Sequence, residues 1–304
     1  MIMADTTNTN PATTATTTTL ATLATLELLQ SFKEFQDIDY ANFKSADVVY
    51  IDQEKYSCAH NEPTIFIVKS GMVCNITNSM NHDIIIVVEK KAFLQYHSVI
   101  SGVNSNPNYK NIVVAMQNAI VDWIDASFGK FVDIKHSIVL KESGSEAKYR
   151  SMFLASREEK YKINVEVIHV ANNTNSSLFT RTALFEKSNG SYRGKIKILP
   201  DAYNCSAKLR EDSLVLGIGV HIDAIPILEI ANADVKCSHG VTITQVSDDQ
   251  LFYLQARGIL QTEAKKMLIA GFFDQMLISM GDFGLNIKDH TMKKLLDENL
   301  EENL

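Results

Sequence analysis

Asp234-Val235-Lys236-Cys237-Ser238-His239-Gly240 is followed, after a short connection, by Asp249-Gln250-Leu251-Phe252-Tyr253-Leu254-Gln255-Ala256-Arg257-Gly258-Ile259. The first segment reads as a strand. The second reads as a helix, because Ser247 and Gln250 stand at capping-box spacing and Gly258 sits where a helix ends in a left-handed residue. In an extended strand, Cys237 and His239 lie two positions apart and leave the same face. A thiol beside an imidazole suits soft metals or sulfur chemistry.

Working back from this stretch, short β-branched runs recur from about residue 47 to 246, among them Thr64–Val68, Ile84–Val88, Val132–Leu140, Ile163–Val170 and Leu178–Leu184. Val132-Asp133-Ile134-Lys135 and Lys195-Ile196-Lys197-Ile198-Leu199 alternate with period two, which predicts strands with one buried face. No helical pattern of useful length interrupts residues 127–246, which argues against alternating βαβ units and leaves a sandwich, a barrel or a β-solenoid. The spacing, about 15 residues, is not a clean repeat and does not choose among the three.

Working forward, a second helix is expected from near Thr262, with an apolar stripe of Ala264, Met267, Leu268, Gly271 and Phe272 continued by Met276. An acidic helix follows over about 289–300. At the other end, residues 1–25 are rich in Thr, Ala and Asn and read as a disordered tail. Residues 26–46 read as a short helical segment carrying Leu28, Leu29, Phe32 and Phe35. The domain reading is therefore 1–25 tail, 26–46 helical segment, 47–246 β core and 247–304 helical region.

The chain has 304 residues, 45% of them apolar, enough for a sizeable core. A net charge of −7 disfavours a nucleic-acid partner, which needs a concentrated basic surface. Four irregularly spaced cysteines, Cys58, Cys74, Cys205 and Cys237, do not form the framework of a small disulfide-stapled domain. No run approaches the roughly 18–20 apolar residues that cross a bilayer, and no secretory or transit signal is evident, so a cytoplasmic protein is expected. No phosphate-binding Gly-x-x-x-x-Gly-Lys-Ser/Thr loop occurs, so no bound nucleotide is expected.

The wording of both opening segments resembles the end of the SufB/SufD proteins, scaffold subunits of iron–sulfur cluster assembly. Val121-Asp122-Trp123-Ile124-Asp125, Val167-Ile168-His169-Val170-Ala171-Asn172-Asn173-Thr174, Ser191-Tyr192-Arg193-Gly194 and Asp223-Ala224-Ile225-Pro226-Ile227-Leu228-Glu229-Ile230 resemble earlier landmarks of that family in its order. The likeness implies a mainly β fold, a right-handed parallel β-helix core with a C-terminal helical cap. It further implies a non-catalytic scaffold that pairs with a SufB-like subunit, or with itself as a homodimer. A SufC-like ABC ATPase would dock on the helical end and hydrolyse ATP.

The resemblance marks His239 as a metal ligand and Cys237 as its companion, holding a transient iron–sulfur cluster, iron or sulfur at a subunit interface. Phe252, Tyr253, Arg257 and Phe272 become the candidate partner-binding residues. Where the SufB branch carries a cysteine ahead of Asp-Ser and a glutamate after the histidine, this chain has Glu211 and Gly240. The site therefore looks SufD-like. Buried structural roles are the alternative for each group: Cys237 or Cys205 as a core thiol, His136 and His169 as hydrogen-bonded core histidines, and Tyr192-Arg193-Gly194 as a tight strand entry. Two other functions compete: a β-helix polysaccharide-processing enzyme, and a degenerate paralogue that only stabilises a complex.

Overall fold

The computed structural model describes residues 43, 46–58, 63–78, 82–101, 108–128, 131–281, 297, 298, 300 and 301. The expected tail over 1–25, the helix from Leu26 to Phe35 and most of the acidic helix over 289–300 lie outside those residues.

Strands alternate between two eight-stranded, all-parallel sheets. One holds β1 (Asp47–Ile51), β3 (Thr64–Val68), β5 (Ile84–Val88), β7 (Asn108–Ala115), β9 (Phe131–Leu140), β11 (Lys160–His169), β13 (Asn189–Ile198) and β15 (His221–Ile230), in that order. The other holds β2 (Lys55–Cys58), β4 (Val73–Asn78), β6 (Phe93–Ser101), β8 (Ile120–Phe128), β10 (Glu146–Ala155), β12 (Asn175–Phe185), β14 (Cys205–Leu216) and β16 (Val235–Gln245). Each strand pairs with its counterpart one coil earlier, which makes the core a parallel β-solenoid and removes the sandwich and the barrel. After the strands come α1 (Asp248–Gln255) and α2 (Gln261–Gly281), and the described residues 297, 298, 300 and 301 are also helical. None of the described helices is long and apolar enough to cross a membrane.

Period-two sequence becomes lumen and surface. In β9 the buried positions Val132, Ile134, His136, Ile138 and Leu140 alternate with more exposed ones over most of the strand, as one inward face requires. Inward residues stack in columns: Ala147, Ser176, Ala207 and Cys237 form one, and Tyr149, Leu178, Leu209 and His239 another. Trp123, Tyr149, Ile134, Ile163 and Ile196 belong to the continuous apolar cluster that fills the lumen.

Left-handed residues turn the chain at one recurring corner. Lys91 (φ 60°), Asn118 (56°), Gly144 (76°) and Asn173 (56°) each stand two positions before an even-numbered strand, and Asn204 (51°) stands directly before β14. Their amides bond to the next coil, Asn118 to Ser143 O at 3.1 Å, Asn173 to Tyr203 O at 2.9 Å and Asn204 to Asp234 O at 2.8 Å. Asn tolerates this conformation through its short polar side chain, and Asn204 Nδ2 donates to Asn173 Oδ1 at 2.7 Å. Gly144 has a second constraint, since a Cβ there would fall 2.0 Å from Asn118 Oδ1.

The outer face of the even-numbered sheet is apolar where α2 covers it. Ile124, Ala126, Phe128, Met152, Leu154, Ala183 and Phe185 pack with Ile269, Phe273 and Met276. The expected stripe on this helix holds in part: Ala264 and Met276 are buried and Leu268 and Phe272 pack against the cluster, together with Ile269 and Phe273, whereas Met267 is 53% exposed and Gly271 is also exposed. The helix is rotated because Phe273 enters the sheet, leaving Phe272 half-buried beside it. Ser247 caps α1 with the expected reciprocal bonds to Gln250, and Gly258 beyond it has φ 84°. Tyr192-Arg193-Gly194 is no strand entry; it lies inside β13. A Cβ on Gly194 would come within 2.8 Å of both Leu209 Cδ1 and Tyr192 Oη.

Candidate functional site

The solenoid ends on an open rung. β16 has β14 as its sheet neighbour and β15 has β13, so each leaves one strand edge without a strand partner among the described residues. Cys237 stands opposite Ala207, His239 opposite Leu209 and Val241 opposite Glu211. In the coils from β14 back to β6, those columns hold residues that are buried, such as Leu209, Tyr149 and Trp123. On this rung no further coil covers them among the described residues, and Cys237 is half-buried and His239 exposed. The thiol and imidazole thus share the lumenal face, as the two-residue spacing predicts.

Cys237 packs against the edge of the lumenal core. Burial pushes its thiol up, and the neighbouring Cys205 adds to that, against the backbone bond from Ala207. It is protonated at neutral pH, so ligating a metal requires proton release. No three His, Cys, Asp or Glu side chains come together as a metal cage among the described residues. The rung therefore offers two donors on an accessible edge.

One coil down, Glu211 is fully buried in the lumen. Ser213 Oγ donates to its Oε1, and burial pushes the carboxyl up to about 7 despite that bond. Asp212, the next residue, faces the opposite way. It pairs with Arg210 at 2.9 Å and with Arg181 at 3.7 Å. The Arg181 guanidinium lies 5.2 Å from the Phe179 ring centre and 4.9 Å from that of Phe272, and it donates to the Phe272 carbonyl. This clamp fastens α2 to the sheet and escapes sequence reading, because its parts are far apart in the chain.

The remaining candidates separate cleanly. Cys205 Sγ reaches Ala202 O at 3.5 Å, the same i−3 corner bond that Thr174 makes to Ala171 O at 3.1 Å and Ser145 to Glu142 O at 2.7 Å. It is a corner thiol. Burial pushes buried Cys74 up to about 11, and the Cys58 side chain lies outside the described residues. His169 is bonded by Thr174 (2.7 Å) and Ser176 (2.8 Å), and burial lowers it to about 4. His136 Nε2 meets Asp125 Oδ2 at 3.0 Å inside the lumen. Arg193 reaches Asp223 at 3.5 Å. On the helical end Phe252 and Tyr253 are 68% and 57% exposed, and Arg257 lies over the Tyr253 ring at 4.7 Å. Phe272 is half-buried, with the Arg181 guanidinium over its ring.

A ladder of lumenal hydroxyls also went unread in the sequence. Tyr149 Oη donates to Asp125 Oδ2 (2.9 Å), Ser151 Oγ meets Thr180 Oγ1 (2.8 Å), and Thr180 Oγ1 donates to Tyr192 Oη (3.1 Å). The available signal was polar residues at inward positions of otherwise apolar strands.

The profile of the family described as SUF system FeS cluster assembly, SufBD core domain, matches residues 60–272. The chain is 29% identical over 204 residues to the iron–sulfur cluster assembly protein SufB of Bacillus subtilis, covering 65% of this chain and 43% of that protein. A SufBD family protein of Staphylococcus epidermidis is 28% identical over the same length, again 65% of this chain and 43% of the relative. One from Porphyra purpurea is 28% identical over 157 residues, 51% of this chain and 32% of the relative. The chain spans less than half the length of these curated relatives.

Proposed function

Because this chain belongs to the SufBD core-domain family of iron–sulfur cluster assembly proteins, we propose that it is a scaffold subunit whose open terminal rung pairs with a second subunit and shares a nascent cluster across that junction. The observation that carries this reading is the placement of His239 and Cys237 on the uncovered rung, two donors where a closed cage would need more. A mating subunit would supply the rest. Free strand edges on β15 and β16 favour augmentation by another sheet. Exposed Ile225 (37%), Ile230 (42%) and Ile243 (52%) on the same strands offer apolar surface to it.

In this reading iron and sulfide are cargo. The exposed imidazole of His239 offers a nitrogen ligand to iron, and Cys237 offers sulfur once it releases its proton. Glu211, below, keeps a carboxyl where the SufB-like pattern has cysteine, and Gly240 follows the histidine. That pair of replacements supports a SufD-like role, with a SufB-like subunit or a second copy opposite. The exposed Phe252, Tyr253 and Arg257 form the surface for a SufC-like ATPase, with Phe272 holding the helices that present them.

Coexpression with SufB-like and SufC-like proteins tests the assembly, which predicts co-purification with both; recovery of the chain alone overturns it. Anaerobic reconstitution with iron and sulfide tests the site. His239→Ala should lower cluster yield in the paired complex without dissociating it, and an unchanged yield leaves the chain a purely structural paralogue.

A further inference from the structure

Between β7, β8 and β9 the lumen holds side chains that the protein does not satisfy. Tyr109 Oη, both amide atoms of Asn111, Trp123 Nε1, Asp125 Oδ1, Ser127 Oγ and His136 Nδ1 are buried without a protein hydrogen-bond partner. All six residues are at most 2% exposed. They also converge. Asn111 is the register partner of His136, the Trp123 and His136 rings are 4.4 Å apart, and Tyr109 and Tyr149 rings stand 6.1 Å and 5.9 Å from His136. Asp125 grips the opposite ring nitrogen of His136.

An orphaned buried polar atom carries the full cost of losing its water, and native proteins rarely leave several together. The cluster mixes donors (the Trp123 indole, the Asn111 amide) with acceptors (Asp125 Oδ1, the Asn111 carbonyl). A metal cation would find one carboxylate and one imidazole, too few ligands for a stable cage, and an anion would face Asp125. Water, donating and accepting at once, matches the set.

We propose that this part of the lumen is a built site for ordered water, held by Tyr109, Asn111, Trp123, Asp125, Ser127 and His136. With seven orphaned atoms and about three bonds per internal water, satisfying them requires about two molecules. Through Asp125 they join the hydroxyls of Tyr149, Ser151, Thr180 and Tyr192, so a polar column runs inside an apolar solenoid toward the coil that bears Glu211. The site is independent of the cluster-assembly reading.

Water-oxygen relaxation dispersion on the full chain counts long-lived internal waters. Asn111→Leu and the milder Ser127→Ala should each lower the signal relative to the native protein by about one water. Should Asn111→Leu fail to fold, Ser127→Ala carries the comparison. Equal signals in native and variant proteins overturn the assignment, as does a high-resolution crystal structure showing the six side chains bonded to one another.

Discussion

Replacing Glu211 with glutamine converts one buried carboxyl into a stability difference that depends on pH. The native group is held at about 7 in the folded chain by burial, against 4.5 for the free side chain. Between those values the unfolded chain gives up the proton and the folded chain keeps it, so stability falls as pH rises toward 7. Each pH unit of separation is worth about 1.4 kcal/mol, so ionising Glu211 in place costs about 3 kcal/mol. Glutamine cannot ionise and escapes that cost. The Glu211→Gln variant should therefore gain on the native protein by about 3 kcal/mol between pH 4.5 and 8, whatever constant offset its altered bond to Ser213 introduces. The difference form matters because His169 titrates in an overlapping window with the opposite sign. Paired urea melts at pH 5, 6, 7 and 8 measure it. A difference constant to within about 1 kcal/mol refutes the placement of this carboxyl out of reach of bulk solvent.

His169, lowered to about 4 by burial, should remain neutral through pH 5 by NMR; its stability contribution is present above 6.5 and lost as pH falls toward 4. Arg181→Met should cost about 2 kcal/mol by denaturation, since it breaks a mostly buried ion pair that Arg210 partly replaces; hydrogen exchange over 261–281 should rise while that of β8 holds. Gly144→Ala should cost about 2 kcal/mol through its left-handed backbone and the collision with Asn118. Adding Asn118→Gly should restore part of the loss, and strictly additive costs in the double variant would show that the collision is not felt.

Strand positions were legible because inward and outward residues alternate, as in β9, and Thr64–Val68 and Ile84–Val88 emerge with the read bounds. The solenoid was not, because parallel stacking is a relation between residues a coil apart and a single strand's pattern is the same in a sandwich. Resemblance supplied what periodicity lacked. Cys237 and His239 sharing a face followed from spacing alone; their lying on the uncovered rung depended on where stacking stops. The face of α2 was misjudged because neighbouring apolar residues, Phe272 and Phe273, offer two nearly equivalent stripes. Which of the two enters the sheet depends on residues distant in the chain, among them Arg181, which bonds the Phe272 carbonyl from 91 residues away.

Register pairs Asp47 with Thr64 and Asn189 with His221, so every strand waits for a template laid down a short distance earlier in the chain. Closing such modest loops carries a limited entropic penalty, and acquisition of structure can follow synthesis, winding from the ribosome's first product to its last. The rung bearing His239 is then the last of the described coils to be wound, and termination one coil earlier would leave a shorter spool whose end presents the coil of Leu209 and Glu211 instead.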